Sequence, residues 1–132
     1  GSFVACDIPG LIEGAHEGRG LGIQFLRHIE RTRLMVHLID MAAVDGRDPC
    51  DALVQVNREL ALYNPTLASR PQLIAANKMD LPTAREHLTR VQRMAGRPVW
   101  PISCATGEGI PALLNAIWDA LRTLPPPEPL KP

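Results

Sequence analysis

Along the chain, short runs of nearly continuous apolar residues alternate with segments in which apolar positions recur every three or four. The continuous runs are Phe3–Ile8, Leu34–Met41, Gln72–Asn77 and Val99–Ser103. Such runs suit β-strands buried on both faces, as in a parallel sheet covered by helices. The clearest periodic segment holds Ile110, Leu113, Leu114, Ile117, Trp118 and Leu121. These form one apolar stripe on a helix, with Pro111 in the first turn, where a missing N–H costs nothing. Leu53, Val56, Leu60 and Tyr63 form a second stripe, Leu88, Val91 and Ala95 a third, and Phe25, Leu26 and Ile29 a fourth ahead of the second strand. Strand and helix in turn predict an α/β sandwich with right-handed crossovers around a mostly parallel sheet.

Two segments break the pattern. Gly10, Gly14, Gly18, Gly20 and Gly22, half of the ten glycines, crowd into one stretch that reads as a mobile loop with special backbone geometry. From Leu124 the chain runs Pro-Pro-Pro-Glu-Pro-Leu-Lys-Pro, an extended, semi-rigid spacer. Pro126 and Pro129 have the spacing of an SH3-type ligand, but a domain-end linker is the simpler reading. The expected organisation is one domain over 1–124 and a proline-rich tail over 125–132, with no internal repeats.

Composition narrows the function classes. At 132 residues and 45% hydrophobic, the chain can bury one core. Its formal net charge of +0 argues against binding nucleic acid or an anionic membrane by bulk charge. The longest apolar run, Leu34–Met41, is broken by His37 and Asp40 and falls short of the roughly 18 residues of a membrane span. No signal-peptide pattern is legible. Cys6, Cys50 and Cys104 are odd in number and lack CxxC spacing, which fits free thiols in a reducing, cytoplasmic setting.

Candidate chemistry lies at the strand ends, where ligands gather in parallel α/β sheets. Asp7-Ile8-Pro9-Gly10 follows the first strand, Asn77-Lys78-Met79-Asp80 the third, and Ser103-Cys104-Ala105-Thr106-Gly107-Glu108-Gly109 the fourth. A carboxylate beside a purine, here Asp80, can accept from both N1–H and the exocyclic amine of guanine. Adenine offers neither donor on that edge and would leave the carboxylate unpaired. Asn77 can bind the base and tie neighbouring loops together, and Lys78 can lay its apolar stem over a ring face. Ser103 to Ala105 supply backbone N–H groups suited to guanine O6. The competing reading is a polar turn in which Asp80 caps the helix near Pro82. Asp7 could hold Mg²⁺ through a water while Gly10 lets an N–H approach a terminal phosphate; a plain strand-ending turn is the alternative.

The order Asp-x-x-Gly, Asn-Lys-x-Asp, Ser-Ala-type loop resembles the third, fourth and fifth G motifs of Ras-like P-loop GTPases. The surrounding residues are similar to the Obg family: Asp7 through Ala15, Arg19-Gly20-Leu21-Gly22, Phe25 through Arg31, and His37-Leu38-Ile39-Asp40. Cys104 departs from the family's usual alanine, at a position that works largely through its main chain. The resemblance implies a Ras-like α/β sandwich, GTP/GDP and Mg²⁺ as ligands, and the glycine loop as the γ-phosphate-sensing switch II. Leu11 stands where Ras carries its water-orienting glutamine, which implies slow hydrolysis used as a switch. It also implies a role in ribosome assembly, chiefly of the large subunit.

No Gly-Lys pair is present, so the phosphate-binding loop of these proteins is not in this sequence. The chain thus resembles the C-terminal part of an Obg G domain, truncated before the third G motif. By the same resemblance, the strand that feeds the phosphate loop would sit between the first and second strands here. The expectations are a guanine subsite of weak affinity, no hydrolysis by this chain, and self-association through an exposed sheet edge. The competing class is a non-enzymatic scaffold on ribosomal RNA or protein, indifferent to nucleotide.

Smaller signals favour plain readings. His16, His28, His37 and His87 lack metal-ligand spacing. Arg90, Arg93 and Arg97, with Glu86 in line, are expected on one solvated helix face, and Trp100 and Trp118 in the core.

Overall fold

Three of the four apolar runs form strands in a computed structural model that describes residues 32–43, 46–63 and 65–125. The expected strand Phe3–Ile8, the glycine loop, the helix at Phe25–Ile29 and the tail beyond Pro125 lie outside the described residues. Strands β1 (Met35–Asp40), β2 (Gln72–Asn77) and β3 (Val99–Pro101) are parallel in the order β1-β2-β3. Asp40 is in register with Asn77, and Ala76 with Pro101, so all three strands end at one edge of the sheet. The connections are helices α1 (Pro49–Tyr63), α2 (Pro65–Ala68), α3 (Pro82–Ala95) and, after β3, α4 (Ile110–Thr123).

Local signals start α1 and bound α3 at both ends. Asp48 accepts the Cys50 N–H at 2.8 Å at the start of α1, satisfying one orphan donor of the first turn. Its carboxylate also pairs with Arg90 of α3 at 2.9 Å, and these two contacts hold its pKa below the usual carboxylate range, the arginine most strongly. Helix α3 begins with proline in its first turn and ends at Gly96, whose φ of 63° only glycine adopts without strain. Arg97 therefore lies beyond the helix and shares no helical face with Arg90 and Arg93, contrary to the expectation from spacing. At the other end of the fold, the Arg33 guanidinium donates to the carbonyls of Leu121 and Leu124, capping α4 where the helix dipole is negative.

Two cores flank the sheet. On one face Ile39, Ile74, Ala76 and Val99 pack with Leu53 of α1 and with Ala84 and Val91 of α3. On the other, Ala75 and Ile102 pack with Leu113 of α4, joined by Trp100, Ile110 and Ile117. Of the stripes read from the sequence, Leu53, Leu88, Val91, Ala95, Ile110, Leu113 and Ile117 lie in these contact faces, whereas Leu114 is exposed at the margin of α4; the side chain of Tyr63 is outside the described set. Burial on both faces holds for the central strand β2 only. On β1, Val36 is 36% and Leu38 54% exposed, because α4 packs over Ala75 and Trp100. No helix among the described residues is long and apolar enough to cross a membrane.

His37 points to the opposite face from Val36 and Leu38. It is largely buried, its Nδ1 has no hydrogen-bond partner among the described residues, and burial lowers its pKa below the ordinary histidine value. The unfolded chain then binds a proton more readily than the folded one. The stabilisation is complete above about pH 6.5 and is lost as pH falls through the lower folded value, with a slope of at most about 1.4 kcal/mol per pH unit. Thermal melts between pH 7 and 5 should show this loss, and His37→Phe should flatten it. An unchanged profile in that variant would contradict the assignment.

Candidate functional site

The common strand edge brings the loops after β1, β2 and β3 together, and Asn77 joins all three. Its main-chain carbonyl accepts the Met41 N–H at 3.2 Å, and its side-chain Oδ1 accepts the Cys104 N–H at 3.0 Å. A further bond, from Met79 N–H to the Ile102 carbonyl at 3.1 Å, stitches the β2 and β3 loops directly. The Met79 side chain packs on the first core, so this residue presents only its backbone to the edge.

Asp80 is not a helix cap. The residue at the N-cap of α3 is Leu81, with no side-chain hydrogen bond to the helix, and proline occupies the first turn. Instead the Ser103 hydroxyl, wholly buried, donates to Asp80 Oδ1 at 2.8 Å and accepts the Thr106 N–H at 3.1 Å. This fixes the plane of an exposed carboxylate, and among the described residues its Oδ2 makes no hydrogen bond. The capping reading fails because the proline-led helix leaves the carboxylate free for a partner 23 residues on.

The β3 loop is closed by its own backbone. Val99–Ser103 was expected to be one strand, but the ladder stops at Pro101 and the Ser103 N–H turns away to the Glu108 carbonyl at 2.8 Å. Of the three N–H groups expected to face a guanine O6, that of Ser103 is thus taken by Glu108 and that of Cys104 by Asn77. The exposed Ala105 is left as the donor without a partner among the described residues. Gly109 closes the loop at φ 77°, so near Pro101 that a Cβ would stand 2.2 Å from its carbonyl oxygen.

Lys78 carries a feature that spacing does not show. Its backbone is left-handed, φ 69°, and its ammonium pairs with Asp40 Oδ2 at 3.1 Å. In the sequence Asp40 stands as a polar break in an apolar run and as part of the family-like stretch His37–Asp40, with no site role assigned to it. Asp7, Ile8, Pro9 and Gly10, and with them the Mg²⁺ position assigned to Asp7, lie outside the described residues. A cleft of about 500 Å³ lies elsewhere, between Asp48, Cys50, Arg90 and Met94. The paired loops form a rim along the edge of the sheet at which the three strands end.

Comparison with known proteins bears on what that rim belongs to. A family model described as 50S ribosome-binding GTPase matches residues 1–78. GTPase Obg of Geobacillus thermodenitrificans is 62% identical over 126 residues, 94% of this chain and 29% of that protein. The chain belongs to the Obg family of GTPases. GTPase Obg of Brevibacillus brevis is 60% identical over 125 residues, and that of Symbiobacterium thermophilum 54% over 134 residues, 99% of this chain. Coverage this high takes in both the Asn77–Asp80 and the Ser103–Ala105 loops. The three parallel strands with their flanking helices are accordingly part of a Ras-like α/β fold. This Obg-family chain spans about three tenths of the length of the curated relatives it matches.

Proposed function

We propose that this chain carries the guanine-reading part of a GTP-binding site, and that in a protein of its relatives' length it serves a slow GTPase switch. The observation that supports it best is the bond from buried Ser103 to Asp80. Among the described residues, Asp80 Oδ2 and the Ala105 N–H are left without a partner on the same rim. In this reading Asp80 accepts from guanine N1–H and N2–H, Ala105 N–H donates to O6, and the Lys78 stem covers a ring face. Adenine has no donor at N1 and would strand the carboxylate. Asn77 acts mainly as the tie between loops.

The motif Asp7 to Gly10 and the family match are the grounds for placing Mg²⁺ and the terminal phosphate near Asp7 and Gly10. The reaction is attack of water on the γ-phosphate of GTP, giving GDP and phosphate. Leu11 has no polar group with which to orient that water, so hydrolysis is slow. This chain alone, with no Gly-Lys phosphate loop in its sequence, binds guanine nucleotide weakly and does not turn it over. The family description supports the large ribosomal subunit as partner; the reading also takes a cytoplasmic setting and no membrane partner. The 125–132 tail is a linker. Self-association through an exposed edge of the sheet belongs to this reading, and β1 ends the strand order among the described residues.

An amide ¹H–¹⁵N spectrum of the chain, titrated with GDP and separately with ADP, tests the guanine reading. Shifts centred on 77–80 and 103–105 with GDP alone are expected. Exposed Cys104 gives a second readout, since its alkylation, mapped by mass spectrometry, should slow with GDP and not with ADP. A folded spectrum indifferent to both nucleotides would favour the scaffold reading.

A further inference from the structure

Lysine is the longest-stemmed residue on the guanine rim, and its position is fixed at both ends. At the backbone, φ 69° commits Lys78 to a region that side-chain-bearing residues rarely adopt. The Leu81 N–H to Lys78 carbonyl bond, 3.0 Å, holds that turn. At the tip, Asp40 Oδ2 takes the ammonium at 3.1 Å. Asp40 is itself anchored: its Oδ1 accepts the Ala42 N–H at 3.0 Å, and its backbone stands in register with Asn77. A lysine stem with both ends constrained keeps few of its rotamers, and a free stem would have to lose them on binding.

We infer that Asp40 is a positioning residue for the guanine site, holding the Lys78 stem in place across the rim before any base arrives. This rests on the guanine reading above. Asp40 touches no part of the base; it acts through Lys78, and its benefit is preorganisation. The pair is partly solvated, with side chains 39% and 35% exposed, so the effect is moderate and weakens with salt.

The first test needs no nucleotide. Lys78 and Lys131 are the only lysines, so selective ¹³C-lysine labelling gives two sets of side-chain signals, and the set missing from Lys78→Met belongs to Lys78. Its ε-methylene should be ordered in the wild type and as mobile as free lysine in Asp40→Asn, a change that keeps the oxygen for Ala42 and removes the charge. Equal mobility in both would overturn the proposal. The second test is GDP against ADP titration. Asp40→Asn should weaken GDP about two- to fivefold at low salt, leave ADP unchanged, and have no further effect in the Lys78→Met background. If the wild type prefers GDP and Asp40→Asn binds it equally well, or weakens it equally with and without Lys78, the positioning role alone falls. If the wild type itself fails to prefer GDP, the guanine reading falls and takes this role with it.

Discussion

Replacing Asp80 with alanine is expected to abolish the preference for GDP over ADP while leaving the chain folded. In the proposed reading two charge-assisted hydrogen bonds to the base disappear together, each contributing about 1.5–3 kcal/mol. Together they correspond to a loss of at least about a hundredfold in guanine affinity. The fold should tolerate the change because Asp80 is exposed and caps no helix. The lost partner of the Ser103 hydroxyl is the main structural cost, since that hydroxyl is buried and also accepts the Thr106 N–H. Parallel GDP and ADP titrations with a thermal melt check both halves of the prediction. A variant that melts like the wild type and still prefers GDP would remove Asp80 from the site.

The largest effect on stability is expected at Gly109. An added Cβ would meet the Pro101 carbonyl oxygen at 2.2 Å and the Ile102 Cα at 3.2 Å, both backbone atoms that cannot swing aside. The φ of 77° adds left-handed strain for any other residue. Strain of about 1–2 kcal/mol and overpacking of about 1–3 kcal/mol combine to about 2–5 kcal/mol for Gly109→Ala. Gly107→Ala is the control: its φ is 85° but nothing lies within 4 Å of the added carbon, so only the strain remains, about 1 kcal/mol. Denaturant midpoints should separate the two variants clearly. The displacement at Gly109 should also reach the rim at Asp80, because the neighbouring Glu108 carbonyl holds the Ser103 N–H and Ser103 holds Asp80. Equal midpoints for the two variants would show that the loop can yield at Pro101.

Much of this fold is written in local pattern. Continuous apolar runs placed β1, β2 and the start of β3, and periodic stripes placed α1, α3 and α4, because burial on one or both faces imposes those spacings within a few residues. The N-terminal cap at Asp48 is equally local, an aspartate before a first-turn proline. Other features depend on residues far apart in sequence. Arg33 caps a helix that ends some ninety residues later. Leu38 stays exposed while Ala75 beside it is wholly buried, because α4 lies over one and not the other. Nothing near either residue in sequence encodes that difference.

The site divides in the same way. The residue types and their order at the strand ends, Asn77-Lys78-Met79-Asp80 and Ser103-Cys104-Ala105, came from the sequence, because the guanine-reading chemistry proposed for them calls for a carboxylate, an amide and backbone donors. The sequence by itself also determined membership of the Obg family, since that likeness is carried by residues along nearly the whole chain. Tertiary structure alone decided what each group is free to do. It spent the Ser103 and Cys104 N–H groups on Glu108 and Asn77 and left Ala105. It turned Asp80 from a helix cap to the partner of a buried hydroxyl, and it gave Lys78 an anchor on a strand 38 residues away. The physical reason is that a hydrogen-bonding group is committed by whichever partner the packed chain brings within about 3 Å, and that distance is a property of the fold.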